Sequence, residues 1–123
     1  MSTRKIRKTP ESPELTLQRL EQRHRALLSQ LDEIGPVLRG TIAARRMRCG
    51  KSTCRCHRDP RRLHGPYYLW TRKVAAKTVT VRLSAEQAAR LQPWTTNMRR
   101  LDRLVKTLQD LGLQAADAVR SLP

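Results

Sequence analysis

Phenylalanine is absent from the 123 residues, and Tyr67, Tyr68, Trp70 and Trp94 are the only aromatic side chains. Any core must therefore be built from leucine, valine and alanine and will be small. Such a domain gains from a bound metal or from a second copy of the chain. Acidic groups are scarce too, ten against 26 Lys and Arg, for a net charge of +16. Between residues 39 and 83 the single carboxylate is Asp59, too little to position catalytic cations, so a metal-dependent nuclease is disfavoured and no enzymatic activity is expected. No apolar run approaches the roughly 20 residues of a membrane span, and the N-terminus lacks the apolar stretch of a secretory signal. The three cysteines are an odd number, which excludes a fully paired disulfide framework within one chain. These absences point to a reducing, cytoplasmic setting, with association with the nucleoid open and no membrane partner.

What is present is unevenly spread. Residues 1–10 carry +4, residues 11–38 carry −2, residues 39–83 carry +12 and residues 84–123 carry +2. Thirteen basic groups in the central stretch repel one another unless something neutralises them, and a field this one-sided suggests a polyanion as partner.

Residues 1–11 offer almost nothing to bury and predict a disordered basic arm, able to touch phosphates or to act only as a soluble tail. Ser12-Pro13-Glu14 has the form of a helix start, with Ser at N-cap, Pro at N1 and an acid in the first turn. Leu17, Leu20, His24, Leu27, Leu31 and Ile34 then step by threes and fours as a narrow coiled-coil seam, widened by Leu15 and Leu28. His24 within it suits a packed neutral or register-setting group better than a metal ligand. Gly35-Pro36 should end this helix. Residues 37–48 fit a strand leading into the cysteines better than a helical continuation. Tyr67 to Val74 and Thr78 to Leu83 form a hairpin joined by Ala75-Ala76-Lys77, with Tyr68 and Trp70 on one face and Tyr67 on the other. Ser84 with Gln87 makes a capping box that starts a second helix. Its apolar positions, Leu91, Trp94, Met98, Leu101, Val105 and Leu108, repeat the first seam, and the two should pair. Pro93 predicts a kink or break near residues 90–92, and Gly112 an end, with one further turn beyond it.

Cys49, Cys54 and Cys56 fall within eight residues, where soft metal ligands can be gathered at small loop-closure cost. With His64 they make C-x4-C-x-C-x7-H, a candidate tetrahedral Zn2+ site, His57 being the reserve fourth ligand. Gly50 permits a tight backbone, and Lys51, Arg55 and Arg58 offset the thiolate charge. Redox-active thiols and unrelated small core residues remain alternatives.

The order R-G-T, C-G-K-S-T-C-R-C, H-G-P-Y-Y-L-W-T-R-K, K-T-V-T and S-A-E-Q, from Arg39 to Leu108, resembles a family of small uncharacterised bacterial proteins often found near transposase and recombinase genes. The resemblance implies a mobile-element setting. The family's hairpin turn commonly carries glycines where this chain has Ala75-Ala76.

The expected architecture is α+β. A zinc-binding basic β module over 36–83 is flanked by an N-terminal helix over 12–35 and a C-terminal helical segment over 84–123, the helices meeting in a coiled-coil-like seam within the chain or with a second copy. Arg45, Arg46, Arg48, Lys51, Arg55, Arg58, Arg61, Arg62, Arg72, Lys73, Lys77 and Arg82 are the candidate nucleic-acid contacts, arginine's planar fork suiting phosphates and guanine edges. DNA is favoured over RNA as partner. The competing expectation is an adaptor that recruits a recombinase or transposase through its helical seams.

Overall fold

In the computed structural model, which describes residues 11–123, helix α1 spans Pro13–Ser29. The basic arm expected over 1–11 lies, apart from Glu11, outside the described residues. Ser12 acts as N-cap, its Oγ accepting the Leu15 N–H at 3.3 Å, as the sequence predicts. The helix closes earlier than Gly35-Pro36: Gln30 is its C-cap, and Leu31–Glu33 make a separate 3-10 turn. Three antiparallel strands follow, β1 Thr41–Met47, β2 His64–Val74 and β3 Lys77–Leu83, in the order β1-β2-β3. Helix α2 spans Ala85–Arg120. The fold class is thus the expected one, two helices flanking a small antiparallel sheet, and the chain divides into two units, residues 11–33 with 102–123, and residues 34–101.

The helical unit is an antiparallel pair. The first turns of α1, at Pro13 and Thr16, share a groove with Gln114, Asp117 and Ser121, whereas Leu17, Leu20 and His24 share one with Leu108, Leu111 and Ala115. α1 therefore pairs with the C-terminal part of α2 within the chain, but of the seam expected on α2 only Leu108 shares its groove, while Leu91 and Trp94 line another with Leu83. Leu20, Leu104, Leu111 and Ala118 are the buried positions. The stripe on α2 differs from the expected one, since Leu104 is buried while Val105 is 55% exposed. The seam extrapolated from Leu91 follows a different neighbour, since Leu91 and Trp94 line a groove with Leu83 and Gln87 and not with α1. His24 is exposed, a second correction, because it sits at the groove's edge rather than inside the leucine stripe.

α2 also runs on where a break and a stop were expected, through Pro93 and past Gly112 to Arg120. Pro93 and Ala89, whose carbonyl loses its partner, are both exposed, so water can replace the missing bond. Around them the helix is held by added contacts. The Leu38 N–H donates to Trp94 O at 3.1 Å, Asn97 Nδ2 donates to Pro36 O at 2.9 Å, and the buried Thr95 hydroxyl donates to Gln92 O at 2.8 Å. The capping box is formed, with the Gln87 N–H donating to Ser84 Oγ at 3.1 Å and the Ser84 N–H to Gln87 Oε1 at 2.9 Å.

In the sheet, register puts Thr41 opposite Thr71, Ala43 opposite Leu69 and Arg45 opposite Tyr67, and Thr80 opposite Thr71 and Arg82 opposite Leu69. Alternation then assigns Arg45, Tyr67, Leu69, Thr71, Lys73, Thr80 and Arg82 to one face. Ile42, Tyr68, Trp70, Arg72, Val79, Val81 and Leu83 take the other. No residue of the three strands is fully buried. Within residues 34–101 the buried positions are Cys56, Ala88 and Thr95, a core too small to fix the sheet by itself. Gly40 anchors the start of β1 at φ +115°, where a Cβ would lie 2.5 Å from Trp70 Nε1 and 2.6 Å from Thr71 O. That approach lets the indole N–H donate to Arg39 O at 2.8 Å.

The β2–β3 turn is two residues, Ala75 and Ala76, at φ 48° and 66°. Positive φ at both central positions marks a type I′ turn, normally the place of Asn-Gly, and alanine in this region costs roughly 1–2 kcal/mol per residue. Both alanines are exposed. Ala75→Asn with Ala76→Gly is therefore expected to stabilise the protein by about 1–2 kcal/mol, read as a higher midpoint in chemical denaturation, while Gly40→Ala should lower it.

Candidate metal centre

Three segments deliver the four donors. Cys49 follows the end of β1, Cys54 is the N-cap of a 3-10 turn over Arg55–His57, Cys56 lies inside that turn, and His64 opens β2. Asp59 caps a second 3-10 turn over Pro60–Arg62, its Oδ1 accepting the Arg61 N–H at 3.0 Å, and the chain then returns to the sheet. His64 owes its direction to an irregularity in the ladder. Arg45 pairs with Tyr67 but Met47 with His64, so β2 carries one extra residue across Gly65-Pro66. An extra residue moves a side chain to the other face. Strict alternation would put His64 on the side of Tyr68 and Trp70; the bulge turns it to that of Met47 and Tyr67. Gly65 makes the bulge possible at φ +123°, where a Cβ would lie 2.8 Å from Arg45 O.

The donor atoms of Cys49, Cys54, Cys56 and His64 all lie within 4.8 Å of one another. Cys54 Sγ is 3.3 Å from His64 Nε2 and Cys56 Sγ is 3.6 Å from Cys49 Sγ. A tetrahedron with Zn–S near 2.3 Å and Zn–N near 2.0 Å has edges of roughly 3.5–3.8 Å, so the spacing fits a four-coordinate ion with no distant donor to recruit. The electrostatics fit as well. The Cys54 thiol is lowered to about 6, first by a backbone hydrogen bond from Cys56 and then by His64 and the neighbouring thiols. Burial pushes the Cys56 thiol up, partly offset by the Cys49 N–H, which donates to its sulfur at 3.3 Å. These residues could hold a metal ion. Four protein donors leave no open position, which is the arrangement of structural rather than catalytic sites.

His57 is not among the four. Its Nε2–H donates to Cys49 O at 2.7 Å, so it pins the backbone of one ligand, a role that spacing alone does not reveal. The H-G-P sequence after the cysteines was the available signal for the bulge.

The twelve candidate cationic contacts do not share one surface. Arg48, Lys51, Arg55, Arg58, Arg61 and Arg62 are exposed around the cysteine loop, Arg61 pairing with Asp59 at 3.4 Å. Arg46 Nη1 reaches Gly65 O at 3.5 Å. Arg45, Lys73 and Arg82 lie on the sheet face of Tyr67, and Arg72 and Lys77 on the opposite one. Two arginines are stacked, Arg82 at 3.9 Å over the Tyr67 ring and Arg72 at 4.0 Å over Trp70.

A family model described as a domain of unknown function, DUF6788, matches residues 17–93, more than half of the chain. No curated protein and no solved structure matches.

Protein purified under reducing conditions is expected to carry one metal ion per chain by elemental analysis, and Cys49→Ser, Cys54→Ser, Cys56→Ser or His64→Ala should each abolish stoichiometric retention. His57→Ala should keep the stoichiometry while weakening affinity about 10–100-fold. Chelation should open the loop to trypsin at Arg55, Arg58, Arg61 and Arg62; equal cleavage with and without chelator would contradict a structural site.

Proposed function

The chain belongs to the DUF6788 family, whose function is unknown, and from that premise we propose that it is a zinc-stabilised, non-enzymatic DNA-binding accessory protein. The observation that carries the proposal is one sheet face on which Arg45, Lys73 and Arg82 stand with Tyr67, in a unit of residues 34–101 with sixteen Lys and Arg against Asp59 and Glu86. Arg82 is held against the Tyr67 ring, so its guanidinium loses less rotamer freedom when it meets a phosphate than a free arginine would. Tyr67 then serves the arginine rather than a stacked base. Asp59, the lone carboxylate near the centre, is engaged as a turn cap and in an ion pair with Arg61, which supports a binding rather than a hydrolytic role. Zinc follows from the donor chemistry, three thiolates and an imidazole in a closed set. The mobile-element setting is carried by the sequence resemblance alone.

Binding built on phosphate contacts falls linearly with salt on a log–log scale, by about 0.9 per contact. In mobility shifts on arbitrary duplex DNA, Arg45→Ala with Arg82→Ala should weaken binding to every sequence and flatten the salt slope by roughly 1.8, and Arg61→Ala with Arg62→Ala should act in the same direction. An unchanged slope removes these residues from the interface. No binding at modest salt would overturn DNA binding in favour of an adaptor for a recombinase or transposase.

A further inference from the structure

The sheet within residues 34–101 has a face whose chemistry changes from strand to strand. Register sets Arg45 beside Tyr67, Ala43 beside Leu69 and Thr41 beside Thr71 on one side of β2. On its other side Arg82 stands beside Leu69, Thr80 beside Thr71 and Thr78 beside Lys73. Over these rungs each outer strand contributes one arginine among small or hydroxyl side chains, while central β2 presents Tyr67, Leu69, Thr71 and Lys73 in file. None of the residues of β1, β2 or β3 is acidic. Arg45, Lys73 and Arg82 are exposed and Leu69 and Thr71 half-buried, and the Thr71 and Thr80 hydroxyls satisfy one another at 3.3 Å. On the opposite face Leu83 lines a groove with Leu91 and Trp94 of α2, so that side of the sheet already has a neighbour.

Charge selects a polyanion for this face, and dimensions select its form. Neighbouring strands lie about 4.8 Å apart, which puts β1 and β3 roughly 10 Å from one another. The major groove of B-form DNA is about 12 Å wide and admits such a width, whereas the minor groove, at about 6 Å, does not. The major groove of A-form RNA is too deep and narrow for side chains to read. A single strand needs open ring faces on which its bases can stack. Among the described residues Tyr67 is the one tyrosine or tryptophan on this face, and the Arg82 guanidinium covers its ring at 3.9 Å. We infer that the face enters the major groove of duplex DNA with its strands along the groove, Arg45 and Arg82 of the outer strands toward the two phosphate backbones and Leu69 and Lys73 of the central strand toward base edges. This mode of binding rests on the DNA-binding role proposed above, and it adds a groove, a form of duplex and a reading of sequence. The outer arginines set position and the central strand sets specificity. Lys73 carries donors that match O6 and N7 of guanine, and Leu69 an apolar surface that matches the methyl group of thymine.

The test uses the full-length, metal-loaded protein and a pool of random-sequence DNA duplexes. Repeated selection by mobility shift is expected to enrich a preferred duplex that contains guanine and thymine. In that duplex, replacing guanine by 7-deazaguanine, or thymine by uracil, alters only the major groove, and each change should weaken binding at least about fivefold. Replacing guanine by hypoxanthine removes the amino group in the minor groove and should change affinity less than about twofold. Lys73→Ala should erase the effect of 7-deazaguanine, and Leu69→Ala that of uracil with the salt slope unaltered. The base replacements are read on the unmodified protein, so the outcome does not depend on whether either variant folds. A pool bound without any preferred sequence, or a preferred duplex sensitive to hypoxanthine but to neither major-groove change, overturns the inference and leaves DNA binding standing. Equal affinity for duplex RNA or for single-stranded DNA overturns it as well. No binding to the pool at modest salt removes the proposed function, and this mode of binding with it.

Discussion

Four donors from a sixteen-residue segment meeting within 4.8 Å is the constraint on which the rest of residues 34–101 depends. This unit buries only Cys56, Ala88 and Thr95, and none of its strand residues is fully covered. Hydrophobic burial at roughly 25 cal/mol per Å² cannot hold such a sheet in place, whereas structural zinc supplies about 10–16 kcal/mol in small zinc-finger peptides near neutral pH. That Cys56, at 1% exposure, is among the least accessible side chains means that the ligand set and the core of this unit are largely one object. Closing the segment between Cys49 and His64 also joins the end of β1 to the start of β2, which fixes their pairing from its open end.

The same closure organises the charge. The cysteine loop carries Lys51, Arg55, Arg58, Arg61 and Arg62 outward, and its three cysteines, if bound to a metal as thiolates, would lessen the cost of gathering so many cations. On the sheet, the two arginines with the best-defined positions are those lying over rings, Arg82 on Tyr67 and Arg72 on Trp70. The few aromatics of this chain therefore orient cations as well as fill space. Residues 11–33 and 102–123 are by contrast close to neutral, six basic against eight acidic groups, and rich in exposed leucine and valine.

Helix starts were legible because capping is local: Ser12 and Ser84 each meet partners three residues away. The ligand set was legible because four soft donors lie close along the chain, and the faces of Tyr67, Tyr68 and Trp70 because a strand alternates. Where the sequence misled, a local rule met a contact from elsewhere. Pro93 does not break α2, where Leu38 and Asn97 tie the helix to residues 36–38. Leu104 rather than Val105 is buried because the seam read from Leu91 and Trp94 belongs to a contact with Leu83, not to the one with α1.

The sequence by itself determined which side chains could bind a metal, where each helix begins and which residues alternate along the hairpin, since these follow from neighbours a few positions apart. Only the tertiary structure decided that His64 rather than His57 joins the thiols and that Arg45, Lys73 and Arg82 share a face. Those outcomes turn on one extra residue in the β1–β2 ladder and on the register between strands, quantities set by pairing across the fold that no run of neighbours encodes.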